Sequence, residues 1–139
     1  VVFDWDEIVR LEGNAGPYLQ YTAMRALSVL RKTDLNLLEI YGRPPVPAQD
    51  LEPLEKELLG QLLAFAKVVE QAAQELAPHQ VCTYLFELAQ IYNRFYHQHQ
   101  ILQAGTQAKK ELRLQLTAAA ARVLTAGLDL LGIEILEEM

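Results

Sequence analysis

Residues 78–103 read PHQVCTYLFELAQIYNRFYHQHQILQ, and this stretch decides the fold. Val81, Leu85, Leu88, Ile91, Phe95 and Leu102 recur at steps of three and four, as one buried side of an α-helix requires. Pro78 suits the first turn, where its missing N–H would have no partner in any case. Gly105 ends the pattern. Working outward, Leu51, Leu54, Leu58, Leu62, Phe65, Val69 and Ala72 form a second such stripe. It belongs to a long helix capped by Asp50, running to about Leu76 and ended by Ala77-Pro78. Beyond Gly105, Leu112, Leu116, Ala119, Val123, Leu124 and Leu128 mark a helix from about Ala108 to Leu131. Gly132 stands where a C-terminal cap belongs.

Toward the N-terminus, Asp4 or Asp6 caps a short opening helix through Leu11. Residues 13–17, GNAGP, then break and restart the chain. The next helix runs from Pro17 to about Lys32 on Leu19, Ala23, Ala26, Leu27 and Leu30, and a short piece follows over Leu35–Tyr41. Gly42-Arg43-Pro44-Pro45-Val46-Pro47 is the clearest break, because prolines at this density cannot occupy a helix interior. It reads as a semi-extended connection. Period-2 alternation and hairpin turns are absent. The expectation is an all-α fold: a bundle of four long helices plus short N-terminal helices, forming a single domain over residues 1–139.

Hydrophobic residues make up 51% of the 139, enough for a core of this size. The single cysteine, Cys82, rules out an internal disulfide framework. No signal peptide is visible, and apolar runs stop well short of a membrane span of roughly 18 residues. Cytoplasmic location is the expectation. A start at Val1 fits an excised domain, and equally a chain whose initiator Met has been removed. The net charge of −6 argues against a protein that coats nucleic acid by bulk electrostatics. The charge is uneven, however. Residues 94–122 carry Arg94, Lys109, Lys110, Arg113 and Arg122 against Glu111 alone, so one end can be locally positive.

Catalytic chemistry is hard to find. Gly13 and Gly16 resemble part of a phosphate cradle, but no strand precedes them. His97 and His99 are two apart on a helix and face different ways, whereas a helical zinc site uses i,i+4 spacing. His79 and Cys82 share a face and are conceivable as a nucleophile pair, although a lone Cys is more often a small core residue. Glu55, Glu57 and Glu87 read as a solvated face. The expectation is a binding module with no catalytic residue, no metal and no cofactor of its own.

Residues 84–96 put five aromatics on one helix, with Asn93 and Arg94 among them. Phe95 falls with Leu88 and Ile91 toward the core, while Tyr92 and Tyr96 share a neighbouring face. If exposed, tyrosine rings stack on unpaired bases, an Asn amide can bond a base edge and an Arg can meet a phosphate. The competing reading is that these tyrosines are half-buried packing residues with hydroxyls at the surface. Composition alone favours the latter.

The stretch Glu12-Gly13-Asn14-Ala15-Gly16-Pro17-Tyr18-Leu19-Gln20-Tyr21-Thr22-Ala23-Met24-Arg25 resembles the segment that leads into the helical anticodon-binding (DALR) domain of arginyl-tRNA synthetases. Leu88 to Tyr96 is similar to that domain's aromatic helix. Arg113-Leu114-Gln115-Leu116, Gly127 to Ile133 and the ending Glu138-Met139 are similar to its last helix and terminus. The resemblance runs the whole chain in order. Ala15, Thr22 and Met24 depart from the family's usual Thr, Ala and His or Ala. The resemblance implies recognition of the tRNA(Arg) anticodon loop, with no membrane or DNA partner. It also implies attachment to a catalytic domain that uses ATP and Mg, whose two signature motifs have no counterpart here. From it, Tyr96 and Met139 are expected to receive the middle anticodon base, a cytosine. Tyr92, one turn away, and Asn93 are expected to assist. Arg94, Lys109, Lys110 and Arg113 are the candidates for phosphate contacts, ordinary solubility being their other reading. A free-standing helical interaction module of the same descent is the alternative.

Overall fold

The computed structural model describes residues 5–44 and 50–133, with only the backbone course given for residues 5–15 and for Leu37. Every regular element among them is helical. The order is α1 (Trp5–Arg31), α2 (Leu37–Tyr41), α3 (Pro53–Leu63), α4 (Phe65–Gln74), α5 (Pro78–Gln98) and α6 (Gln107–Leu130). No described helix is long and apolar enough to cross a membrane.

α5 is the central rod, packed against α1, α3, α4 and α6. Its stripe is buried as its spacing requires: Val81, Leu85, Leu88, Ile91 and Phe95 all face inward. α6 meets α1 and α5 largely through small residues, with Ala118, Ala120, Ala121 and Gly127 buried between larger Leu112, Leu116, Leu124 and Leu128. Small side chains let the helix axes approach closely. At Gly127 a Cβ would lie only 2.5 Å from a methyl of Leu85, so no larger residue fits without repacking.

Helix ends follow local chemistry. Thr106 caps α6 by accepting the Lys109 N–H at 3.2 Å. At the other end Gly132 adopts φ +74, and the Ile133 N–H reaches back to the Leu128 carbonyl at 2.9 Å, the paired closure of a helix ending in a left-handed residue. α4 closes in the same way with Leu76 at φ +51, a conformation costly for a residue with a Cβ. The Ala77 N–H bonds the Ala72 carbonyl at 2.8 Å and helps hold it there.

Three sequence expectations need correction. The opening helix and its successor are one continuous 27-residue helix with Pro17 inside it. A proline removes one backbone bond from such a helix, and the buried face of Leu19, Ala23, Ala26 and Leu30 against α5 and α6 outweighs that local loss. The helix expected over 50–76 is divided at Ala64, whose N–H bonds three residues back to Gln61 as well as toward Leu62. Its cap is Glu52 rather than Asp50. Asp50 lies at φ +65, outside the helix, and the Glu52 N–H instead donates to Glu55 Oε1 at 2.7 Å. The central helix also stops at Gln98 rather than near Gln103, because His99 is already extended.

Candidate nucleic-acid interface

The surface of interest forms where α1 crosses α5. On α1, Tyr18, Thr22 and Arg25 follow one another at steps of four and three, and Tyr21 joins Arg25 at i,i+4. On α5, Asn93, Tyr96 and His97 face them.

Arg25 is the hub. Its Nη1 donates to Asn93 Oδ1 at 2.9 Å and lies 3.3 Å from His97 Nε2, while Nη2 donates to the Tyr21 hydroxyl at 2.7 Å. The guanidinium carbon sits 4.5 Å from the centre of the Tyr96 ring and 4.8 Å from that of Tyr21. A planar cation held between two rings and an amide is fixed in position without being sealed from water, since Tyr21 remains 49% exposed. Asn93 uses its amide fully: Nδ2 donates to the Tyr18 hydroxyl at 3.0 Å and to Thr22 Oγ1 at 2.9 Å.

Tyr96 is half-buried. His97 meets its ring edge-on at 5.5 Å, and Tyr92 lies behind it with ring centres 6.5 Å apart. It also lines a groove of about 570 Å³, bounded further by Val29, Lys32, His97, Ile101 and Leu102. An aromatic ring on the wall of an open groove is the arrangement that accepts a planar, partly polar ligand.

The remaining sequence candidates divide. Tyr92 has no exposed surface and cannot offer a ring face to a base, which corrects its assignment as a stacking residue. Burial pushes its hydroxyl pKa up to about 12, against a smaller lowering by the neighbouring Thr117 hydroxyl. Asn93 is likewise committed to α1, so it positions neighbours rather than reading a base edge. Met139 lies outside the described residues.

Two of the expected phosphate ligands are committed elsewhere as well. Glu55 is fully buried and accepts from Lys109 Nζ at 2.7 Å and Arg113 Nε at 3.0 Å. Burial pushes the Glu55 carboxyl up, but the hydrogen bonds from Lys109, the Glu52 N–H and Arg113 outweigh it and hold the pKa below the ordinary value. Lys109 also donates to the Asp50 carbonyl and Arg113 to the Gln100 carbonyl, each at 2.7 Å. This triad pins the start of α3 and the α5–α6 connection onto α6, and it spends the two charges internally. Arg94 pairs with Glu57 at 2.9 Å on an exposed face. Lys110 is the one expected ligand that borders open polar space, beside Lys32 and Arg43.

Sequence reasoning missed Tyr21 and Arg25 as functional candidates. Their i,i+4 spacing is visible, but their value depends on α1 meeting α5 at this height, which no local pattern states. Cys82 is buried, and no group of three or more His, Cys, Asp or Glu side chains among the described residues is placed to hold a metal ion.

Comparison with known proteins adds an independent line. A family model described as the DALR anticodon binding domain matches residues 19–139. The chain is 42% identical over 138 residues to the arginine–tRNA ligase of Thermobifida fusca, covering 99% of this chain and 23% of that protein. It is 38% identical over the same length to the arginine–tRNA ligase of Escherichia coli O127:H6, with the same coverage. Among solved structures, Thermus thermophilus arginyl-tRNA synthetase superposes with a TM-score of 0.78 at 37% identity, over 99% of this chain and 23% of that one. A putative arginyl-tRNA synthetase from Campylobacter jejuni shares the fold with a TM-score of 0.75 at 22% identity, over 88% of this chain and 26% of its own. The chain therefore spans about a quarter of the length of the relatives it matches.

Proposed function

The chain belongs to the DALR anticodon-binding domain family, and from that premise we propose that it is the part of an arginine–tRNA ligase that grips the anticodon loop of tRNA(Arg) in the cytoplasm. The observation that carries the reading is the half-buried Tyr96 ring, oriented by Arg25 and forming the wall of an open groove.

The mechanism is differential binding of an unstacked base. A loop nucleotide has a free Watson–Crick edge and two free ring faces. It leaves its stack and enters the groove beside Tyr96, where ring stacking is worth about 1–3 kcal/mol. Arg25 packs on the Tyr96 ring and fixes its tilt, while the ring itself lines the groove that the base enters. Asn93 holds Arg25, and Tyr18 and Thr22 hold Asn93. Each of these links is a hydrogen bond of 2.9 or 3.0 Å, and together they position Arg25 in advance of any RNA. The resemblance adds Met139 as a further base contact, a role suited to a flexible, polarisable side chain. ATP, Mg and the joining of arginine to tRNA belong to the catalytic domain of the parent enzyme, and this chain contributes binding without catalysis.

The test is binding of a tRNA(Arg) anticodon stem-loop and of a variant with its middle base changed. The chain is expected to prefer the cytosine-bearing loop, and Tyr96→Ala is expected to remove the preference. Equal affinity of the unaltered chain for both loops would overturn the reading.

A further inference from the structure

The groove beside Tyr96 does not end at the loop that follows α5. Lys32 and Leu102 wall it on one side and, on the other, wall a second groove of about 380 Å³ lined further by Asp34, Arg43, Lys110 and Glu111. The two spaces therefore form one trough with a shared margin. Its first half is bounded by a ring, imidazoles and aliphatic side chains, and its second half by charges.

Those charges are not equivalent. Arg43 is ion-paired to Glu111, which cancels most of its field. Among the described residues, the ammonium groups of Lys32 and Lys110 have neither a hydrogen bond nor an ion pair. Lys109 and Lys110 are sequence neighbours about 100° apart around α6. The first turns to the buried Glu55, and the second borders the trough. Lys32 follows the last residue of α1, where a cation is favoured by the helix's negative end. With Asp34 the only unpaired carboxylate beside them, the trough is cationic at this end, on a chain whose net charge is −6.

We infer that Lys32 and Lys110 form a phosphate track for single-stranded RNA leading away from Tyr96, so that one nucleotide's base enters at the ring while its neighbours' phosphates lie along the two ammonium groups. This rests on the proposed function and adds the path of the strand. Phosphate contacts position a strand without reading it, so the track sets register and the ring sets identity.

The experiment measures affinity for the tRNA(Arg) anticodon stem-loop over a salt series, comparing the unaltered chain with Lys32→Gln/Lys110→Gln and with Arg94→Gln as a control on another face. Melting curves verify the fold of each variant, and Lys32→Arg/Lys110→Arg supplies a charge-preserving pair. The double Gln variant is expected to reduce the slope of log affinity against log salt by about 1.4, at roughly 0.7 per single-strand phosphate contact. It is expected to weaken loops with and without the cytosine equally. The Arg pair and the Arg94 control are expected to keep the original slope. An unchanged slope in the Gln variant, with cytosine preference intact, overturns the track and leaves the proposed function standing. Loss of cytosine preference in the unaltered chain, with the slope still falling in the Gln variant, overturns the proposed function and leaves a phosphate site.

Discussion

The guanidinium of Arg25 lies 4.5 Å from the centre of the Tyr96 ring, joining two helices whose residues are far apart in sequence. That contact, with the 2.9 Å bond to Asn93, gives the α1–α5 crossing a fixed polar and aromatic surface in addition to its packing.

Arg25→Lys is therefore not a conservative change. A lysine can supply the charge but not the planar fork that meets Asn93, Tyr21 and a ring at once. Stability should fall by only about 1 kcal/mol, the scale of an exposed cation–ring contact. Affinity for the anticodon stem-loop should fall for Arg25→Lys nearly as far as for Arg25→Ala. Titration of both variants checks this, and full rescue by lysine would mean that charge alone suffices.

Glu55 gives the fold an acid-sensitive link. Its carboxyl pKa is lowered in the folded chain, so its contribution is fully present above the ordinary value of 4.5 and is lost as pH falls through the folded value. Glu55→Gln should cost about 3 kcal/mol at pH 7, because it leaves Lys109 and Arg113 facing a buried neutral group. The difference from the unaltered chain should shrink toward zero well below pH 4.5 as the native carboxyl itself becomes neutral. Melting curves at both pH values decide it, and an equal deficit in acid would show that packing rather than charge is responsible.

Gly127 sits where α6 meets α5, and an added Cβ would lie 2.5 Å and 2.6 Å from the two methyls of Leu85. Alanine is the better helix former by about 1 kcal/mol. Leu85 is fully buried, however, so its methyls have to be rehoused inside the packed core. Overpacking of this kind costs about 1–3 kcal/mol. Gly127→Ala should accordingly lower the denaturation midpoint, and a rise would show that the helices can separate at no cost.

Much of this architecture was legible in the residues, and the exceptions are physical. The stripes of α5 and α6 and the Gly132 cap needed only periodicity and local backbone chemistry. Pro17 misled because a proline marks where a helix is weakened, while packing elsewhere on the helix decides whether it continues. Asp50 was a plausible cap, but Glu52 with Glu55 completes the helix start three residues before the first buried turn ends. Tyr92 stands four residues from Leu88 and seven from Leu85, so its spacing already placed it on the buried arc, and only Tyr96 lies at the margin. The loss of Lys109 and Arg113 to Glu55, and the gain of Arg25 and Lys32, depend on which helices become neighbours, and that is a tertiary fact.

Tyr92 and Tyr96 offer the most direct measurement, because they are chemically identical and one turn apart. Tyr92→Phe removes a buried hydroxyl that makes no well-formed hydrogen bond and has only the Thr117 hydroxyl beside it, so the melting temperature should change little and RNA affinity not at all. Tyr96→Ala should weaken binding of the tRNA(Arg) anticodon stem-loop by the equivalent of about 1–3 kcal/mol, roughly 5- to 150-fold, with its fold intact. Equal affinity of the Tyr96→Ala chain and the unaltered chain for that loop would contradict the account at its centre.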